Sequence, residues 1–317
     1  MTEPAFKEYQ NVKADETFQR SVHALVKLAI DEDLHDGRDW TTWSLIDEAA
    51  TGSCEIRARE SGIAAGFDWI DWILEVFDTK LRCETLIADG SHFESGQKLA
   101  ILSGSIRGLL TAERIVLNLV SRLCGIATLT GRYITAMNAK NVRLYDTRKT
   151  TPGWRRLEKY AVRCGGAWNH RTGLFDGMMI KDNHLALAAV DNAKLPIEAA
   201  VEKALRIRGQ HVDGQAAPKI LEVEVDTLEQ FDRVLPLMPD VILLDNFCQA
   251  DLCEAVRRRD AARSAGTRQV VQLEASGNVR IDTIAAIAKT GVDRISSGAL
   301  THQATSLDLG LDWRPPK

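Results

Sequence analysis

Apolar residues recur at helical spacing through Phe18, Val22, Leu25, Val26, Ala29 and Ile30, a stripe that predicts an amphipathic helix near the start of the chain. Asp15 stands where an N-cap belongs. Strand-like runs at 54–59 and 81–88 flank a Trp-rich helical stretch at 67–77, and Gly90, Gly96 and Gly104 mark turns. From Leu117 the texture becomes strand, charged loop, helix, repeated. Short apolar runs at 142–145, 177–180, 220–225, 241–244, 270–273 and 293–295 predict strands separated by helical segments. That alternation argues for a parallel sheet of β-α units.

Each of these runs leads straight into polar residues. Asp146-Thr147-Arg148-Lys149 follows the first, Lys181-Asp182-Asn183-His184 the second and Asp226 the third. Asp245-Asn246, Glu274-Ala275-Ser276-Gly277-Asn278 and Ser296-Ser297-Gly298 follow the later ones. Polar side chains gathered at the carboxyl ends of many parallel strands are the pattern of an α/β barrel's active face. No G-x-G-x-x-G turn follows the first strand, which disfavours a doubly wound open sheet. The expected fold class is α/β. A small N-terminal α+β domain at 1–116 precedes a barrel domain at 117–300, and a tail at 301–317 is expected to pack back on the first domain or hang loose at its end.

Composition narrows the function. The chain has 317 residues and a formal net charge of -4, so nothing pulls it as a whole towards nucleic acid or an anionic membrane. Residues 1–20 are charged throughout and lack the apolar core of a secretory signal, and no run is long and apolar enough for a membrane span. The six cysteines are scattered without a C-x-x-C pair, as expected of reduced thiols in a cytoplasmic protein. Any anion site must therefore be built locally.

Between Arg143 and His184 there are nine Arg or Lys against four acids, a local excess of five positive charges. Arg155, Arg156, Lys159 and Arg163 fit an ordinary solvated helix face, on a helix that Thr151 would cap and Pro152 would start. Arg148, Lys149, Arg171 and Lys181 fall instead at loops and strand ends, where cations suit a carboxylate or phosphate. Arg114 sits in the first turn of a helix expected over 111–122. A cation there is disfavoured by ~0.3–1 kcal/mol, which suits a bound anion beside it or a plain solvated side chain. Glu222 and Glu224 share one face of a strand, and Glu224 is nearer its end; with Asp245 it could serve Mg²⁺, which takes few protein ligands. Salt bridges to the basic loops are the plainer alternative. The loops Ser276-Gly277-Asn278 and Ser296-Ser297-Gly298 follow the last two strands, where barrels often bind phosphate. His170 lies between Asn169 and Arg171 and could face a ligand or bond within its own loop.

Taken together, this text resembles the quinolinate phosphoribosyltransferases, the carboxylating nicotinate-nucleotide pyrophosphorylases. The resemblance is carried by Glu113-Arg114-x3-Asn118, Gly125-Ile-Ala-Thr128, Asp146-Thr-Arg-Lys-Thr-Thr-Pro-Gly153 and Glu158-Lys-Tyr-Ala-Val-Arg-Cys-Gly-Gly166. It continues through Asn169-His-Arg171, Ile180-Lys-Asp-Asn-His184, Glu222-Val-Glu224, Leu244-Asp-Asn-Phe247, Glu274-Ala-Ser-Gly277 and Ser296-x-Gly298. It runs from about residue 18 to 310.

The resemblance implies a sandwich-like N-terminal domain followed by an open, incomplete TIM-like barrel. It implies transfer of the phosphoribosyl group of 5-phosphoribosyl 1-pyrophosphate to quinolinate, with decarboxylation. It further implies that Arg148, His170, Arg171 and Lys181 hold the two carboxylates, and that Lys149, Glu224 and Asp245 contact the sugar diphosphate and its Mg²⁺. Ser276, Gly277, Asn278, Ser296 and Gly298 would take the 5-phosphate. Arg114 would reach across the interface of a homodimer, or of a larger assembly of dimers, into the neighbour's site. One departure stands out: Ala167-Trp168 replace glycines usual before Asn169, so a left-handed backbone is not free at that point. The same fold could serve another planar carboxylate such as nicotinate, or an anion-binding relative without turnover.

Overall fold

The computed structural model describes residues 7–35, 37–78, 80–188, 195–264 and 271–313; Val270 and the last four residues of the tail lie outside them. By contacts the chain divides into two units. One comprises Val12–Arg132, Lys149–Ala167 and Leu300–Lys317, the other Met1–Asn11, Tyr133–Arg148 and Trp168–Ala299.

In the first unit the amphipathic stripe forms the helix Glu16–Leu34, and the Asp15 side chain accepts the Phe18 N–H at 2.9 Å. Phe18, Val22 and Val26 are fully buried. The Trp-rich stretch is a 3₁₀ turn, Phe67–Trp69, running into the helix Ile70–Phe77. Trp69 packs edge-on to Phe18, ring centroids 5.3 Å apart. An antiparallel sheet of this unit runs in the order Leu309–Trp313, Thr51–Ala58, Lys98–Ser105, Arg82–Thr85. Lys98–Ser105 and Leu309–Trp313 are both fixed by pairing with Thr51–Ala58, far away in sequence, and local alternation gave no strand at either.

The expected helix 111–122 is part of a much longer one, Ile106–Met137, 32 residues. Gly125 does not break it, because the helix needs that glycine for close packing: a Cβ there would stand 1.9 Å from the Thr305 carbonyl oxygen. Arg114 is thus the ninth residue of the helix, not a first-turn residue, and the dipole argument for an adjacent anion does not apply. Thr151 and Pro152 likewise do not start the next helix, which spans Arg155–Cys164 with Trp154 before it. Thr151 instead donates its hydroxyl and N–H to the buried Glu158, which also pairs with Arg122 at 3.0 Å. Lys159, expected on a solvated face, is fully buried, because Leu157, Glu158, Lys159, Ala161 and Val162 are all enclosed on that short helix.

The second unit holds six parallel strands: Arg143–Tyr145, Met178–Ile180, Leu221–Val225, Val241–Asp245, Gln272–Ser276 and Arg294–Ser296. Their spatial order is first, sixth, fifth, fourth, third, second. That is the cyclic order of a β-α barrel, opened between the first and second strands. A doubly wound sheet would reverse direction at a switch point. Helices Ile197–Ile207, Leu228–Val234, Gln249–Ser264 and Ile284–Ala288 follow the second to fifth strands.

Alternation divides each strand between two faces. Leu144, Ile180, Val223, Val225, Ile242, Leu244, Leu273 and Ile295 form one buried apolar face. The register places Glu222, Glu224, Asp245, Glu274, Ser276, Arg294, Ser296 and Tyr145 on the other. This second face is concave. One nitrogen of His170 lies 3.0 Å from Glu222 and 3.5 Å from Glu274, on strands that a flat sheet would separate by about 10 Å.

Candidate active site

The loop after the first strand is organised by Asp146, which is fully buried. One of its oxygens accepts the Asn169 amide at 2.7 Å and the other accepts the His170 N–H at 2.8 Å. The Ala167-Trp168 departure fits here because the left-handed residue is Gly166, with φ 91°, and Ala167 needs no such backbone. Trp168 bonds through its N–H to the Leu144 carbonyl, and the Arg143 guanidinium lies 4.1 Å over its ring.

Both ring nitrogens of His170 are engaged. Nδ1 accepts the Arg171 main-chain N–H at 2.9 Å, and Nε2 faces Glu222 and Glu274. Burial opposes a charge on the ring, but the two carboxylates outweigh it and raise the pKa to about 9. The ring thus sits between a main-chain donor at Nδ1 and the two carboxylates at Nε2. The pocket of charge is completed by Arg294, fully buried, with Nε 2.9 Å from Glu274, and by the Tyr9 hydroxyl, which donates to Glu222 at 2.5 Å. His170, Glu222 and Glu274 have the composition of a metal site. With a guanidinium and a phenol already on the two carboxylates, they form a closed ion-pair cluster instead. Breaking one partner of such a cluster typically costs 3–5 kcal/mol.

Arg171 is itself 7% exposed and donates from Nη1 to the Gly177 carbonyl at 3.0 Å. Burial, and the neighbouring Arg148 working against Glu222, push its guanidinium down from the ordinary value. Arginine stays charged in proteins, so two cations are held near each other at the carboxyl ends of the strands. Lys181, just beyond the second strand, pairs with Glu224 on the third. Burial raises the Glu224 carboxyl, Lys181 pulls it back, and Asp245 on the fourth strand adds to the rise. Of the two glutamates, Glu222 is sealed in the cluster and Glu224 is the one open to the end of the sheet. Glu224 and Asp245 lie on adjacent strands, a thin carboxylate pair that suits a cation retaining water and ligand oxygens.

Downstream, Ser296 and Ser276 hydroxyls meet at 3.1 Å across the fifth and sixth strands. Asn246, Gly277 and Asn278 all have left-handed backbone, and Asn278 donates to the Asn246 side chain at 3.0 Å. A Cβ on Gly277 would lie 2.3 Å from that same Asn246 oxygen, so this glycine is required for both its φ and its space. Gly298 follows Ser297, whose N–H bonds to the Tyr145 carbonyl and whose hydroxyl donates to the Val279 carbonyl at 3.1 Å.

The two remaining expected site residues, Arg114 and Lys149, belong to the other unit. Both are exposed, and the Lys149 carbonyl accepts the Thr301 hydroxyl at 2.7 Å. Among the supporting residues, Glu274 and Asn246 appeared in the sequence only inside strand-end motifs with no role given to them, and Tyr9 and Arg294 were not singled out. A charged or polar residue on a buried strand was the available signal for Glu274 and Arg294; Tyr9 carried none.

Comparison with known proteins gives this arrangement a family. The quinolinate phosphoribosyl transferase C-terminal domain matches residues 126–312, and the N-terminal domain of the same enzymes matches 39–124. The carboxylating nicotinate-nucleotide pyrophosphorylase of Mycobacterium leprae is 41% identical over 290 residues, covering 90% of this chain and 95% of the relative. A probable enzyme of the same name from Bacillus subtilis is 38% identical, covering 89% of this chain and 89% of the relative. The structure of the nicotinate-nucleotide pyrophosphorylase from Francisella tularensis superposes with a TM-score of 0.82 at 35% identity, covering 97% of this chain and all of that one. With both domains matched and such identity over nearly its whole length, the chain belongs to the quinolinate phosphoribosyl transferase family.

Proposed function

We infer that this protein transfers the phosphoribosyl group of 5-phosphoribosyl 1-pyrophosphate to quinolinate, releasing pyrophosphate and CO₂ and forming nicotinate mononucleotide for NAD synthesis. The observation that carries the reading is the grouping of Arg148, Arg171 and Lys181 at the ends of the first two strands, across from Glu224 and Asp245 on the third and fourth. Three cations exceed what one carboxylate needs, which favours a dicarboxylate over nicotinate.

In this reading Arg148, Arg171 and Lys181 fix the two carboxylates and so aim the pyridine nitrogen at the ribosyl C1. His170, which the resemblance sets among the carboxylate ligands, is read instead as holding the Arg171 backbone, because it is buried between Glu222 and Glu274. Lys149 stabilises charge on the departing pyrophosphate, and the Ser276–Asn278 and Ser296–Gly298 loops take the 5-phosphate. Glu224 and Asp245 would hold Mg²⁺, directly or through water, and that ion would neutralise phosphate charge. Nitrogen attack at C1 breaks the bond to pyrophosphate, which leaves with the electron pair. The positive ring nitrogen then accepts the electrons of the bond to the adjacent carboxylate, CO₂ departs and the ring carbon takes a proton. No protein nucleophile is required. We take Arg114 to act from the second chain of a homodimer, and the compartment to be the cytoplasm; no helix among the described residues is long and apolar enough to cross a membrane.

The test is turnover of the sugar diphosphate with quinolinate or nicotinate, with and without a chelator. Turnover with quinolinate alone, abolished by chelation and restored by Mg²⁺, is expected. Turnover with nicotinate and none with quinolinate contradicts the substrate assignment.

A further inference from the structure

Residues 7–11 precede the stretch that the family domains match, yet they are bound inside the unit that holds the parallel sheet. Lys7 pairs with Asp240 at the start of the fourth strand, and its carbonyl accepts Arg294 Nη1 at 3.1 Å. Glu8 pairs with Arg143 and accepts the Tyr145 hydroxyl at 2.9 Å. Asn11 accepts the Asn169 N–H at 3.4 Å. Between these anchors Tyr9 is 3% exposed. Its ring lies 4.6 Å from the His170 ring, centroid to centroid, and its hydroxyl donates to Glu222. Burial keeps the phenol well above its usual pKa, so the hydroxyl remains a donor.

The same ring also closes on Gly177. A Cβ on that glycine would stand 2.5 Å from Tyr9 Cε1, so the ring lies directly against the Gly177 backbone. The Gly177 carbonyl accepts Arg171 Nη1, and His170 Nδ1 accepts the Arg171 N–H. Arg171 thus has two supports, one for its backbone and one for its guanidinium, and one side chain touches both.

We propose that Tyr9 is a positioning residue for the dicarboxylate site: packed against His170 and Gly177, and bonded through its hydroxyl to the Glu222 that His170 faces, it holds Arg171 where its guanidinium meets a substrate carboxylate. The inference rests on the reading of Arg171 as a carboxylate ligand. Its consequence is selective. Loosening Tyr9 frees the guanidinium and weakens binding of the dicarboxylate, while the sugar diphosphate, held by other residues, is unaffected.

The experiment is steady-state kinetics on the full chain with each substrate varied, for Tyr9→Phe, Tyr9→Ala, Arg171→Lys and the Tyr9→Phe/Arg171→Lys double variant. Tyr9→Phe keeps the ring and loses only the donated bond. Its quinolinate KM should rise about threefold to tenfold, with kcat and the sugar diphosphate KM within about twofold. Tyr9→Ala should raise the quinolinate KM further. In the Arg171→Lys background, Tyr9→Phe should add little, because its effect passes through the lost guanidinium. If Arg171→Lys leaves the quinolinate KM unchanged, the site reading itself fails. If Arg171→Lys raises it and Tyr9→Phe does not, or Tyr9→Phe shifts both KM values alike, the role of Tyr9 is overturned. Should Tyr9→Ala fail to fold, Tyr9→Phe and the double variant still decide the matter.

Discussion

At the scale of single residues, the site is defined by charges that have to be balanced in a half-buried place. Glu224 is the clearest case: burial raises its carboxyl and Lys181 restrains it. The ionised form is the one that can hold a cation or a ribose hydroxyl, so activity should fall as pH drops through the raised pKa. Removing Lys181 deletes the restraint and moves that pKa up. In Lys181→Met the acid limb of kcat/KM should therefore shift to higher pH, with a loss of about 100-fold or more at neutral pH. An unshifted limb would assign it to another group. The cations at 148 and 181 were legible in sequence because they follow apolar runs that read as strands, and Arg171 because it stands in the loop between two such runs. The state of His170 was not. Position alone left ligand and loop partner equally open, and only the two carboxylates and the Arg171 N–H around it show that both nitrogens are used.

Among elements, the strands of the parallel sheet were readable to within three residues, since apolar runs ending in polar residues are a local signal. The long helix was not. Gly125 and Gly131 lie beyond the expected end at 122, and they are where the helix admits the Thr305 carbonyl and Ile63. Gly125→Ala would force its Cβ to 1.9 Å from a backbone oxygen, which no side-chain rotation relieves. It should destabilise the protein by about 3 kcal/mol or more, or prevent folding, measured by thermal or denaturant unfolding. A change below about 1 kcal/mol would mean that the 305–306 turn moves away freely. The helix Arg155–Cys164 misled for a related reason. Its charges looked like a solvated face, but Glu158 and Lys159 are enclosed, and Glu158 serves Arg122 and Thr151.

For the whole molecule, the fold class followed from repetition of strand, charged loop and helix. The opening between first and second strands did not, because which strand pairs with which is a long-range property. Nor could local patterning reveal that residues 7–11 enter the unit that holds the parallel sheet. Assembly is tested by mixing two inactive variants, Arg114→Ala and Lys181→Ala. If Arg114 serves the partner's site in a homodimer, random exchange should rebuild about one quarter of the sites. Confirmed exchange with no recovered activity would exclude a shared site. The central claim is the reaction, and the most direct measurement uses quinolinate labelled in the carboxyl group beside the ring nitrogen. One labelled CO₂ should appear for each pyrophosphate released, with an unlabelled mononucleotide. Pyrophosphate release with the label retained in the product would contradict the account.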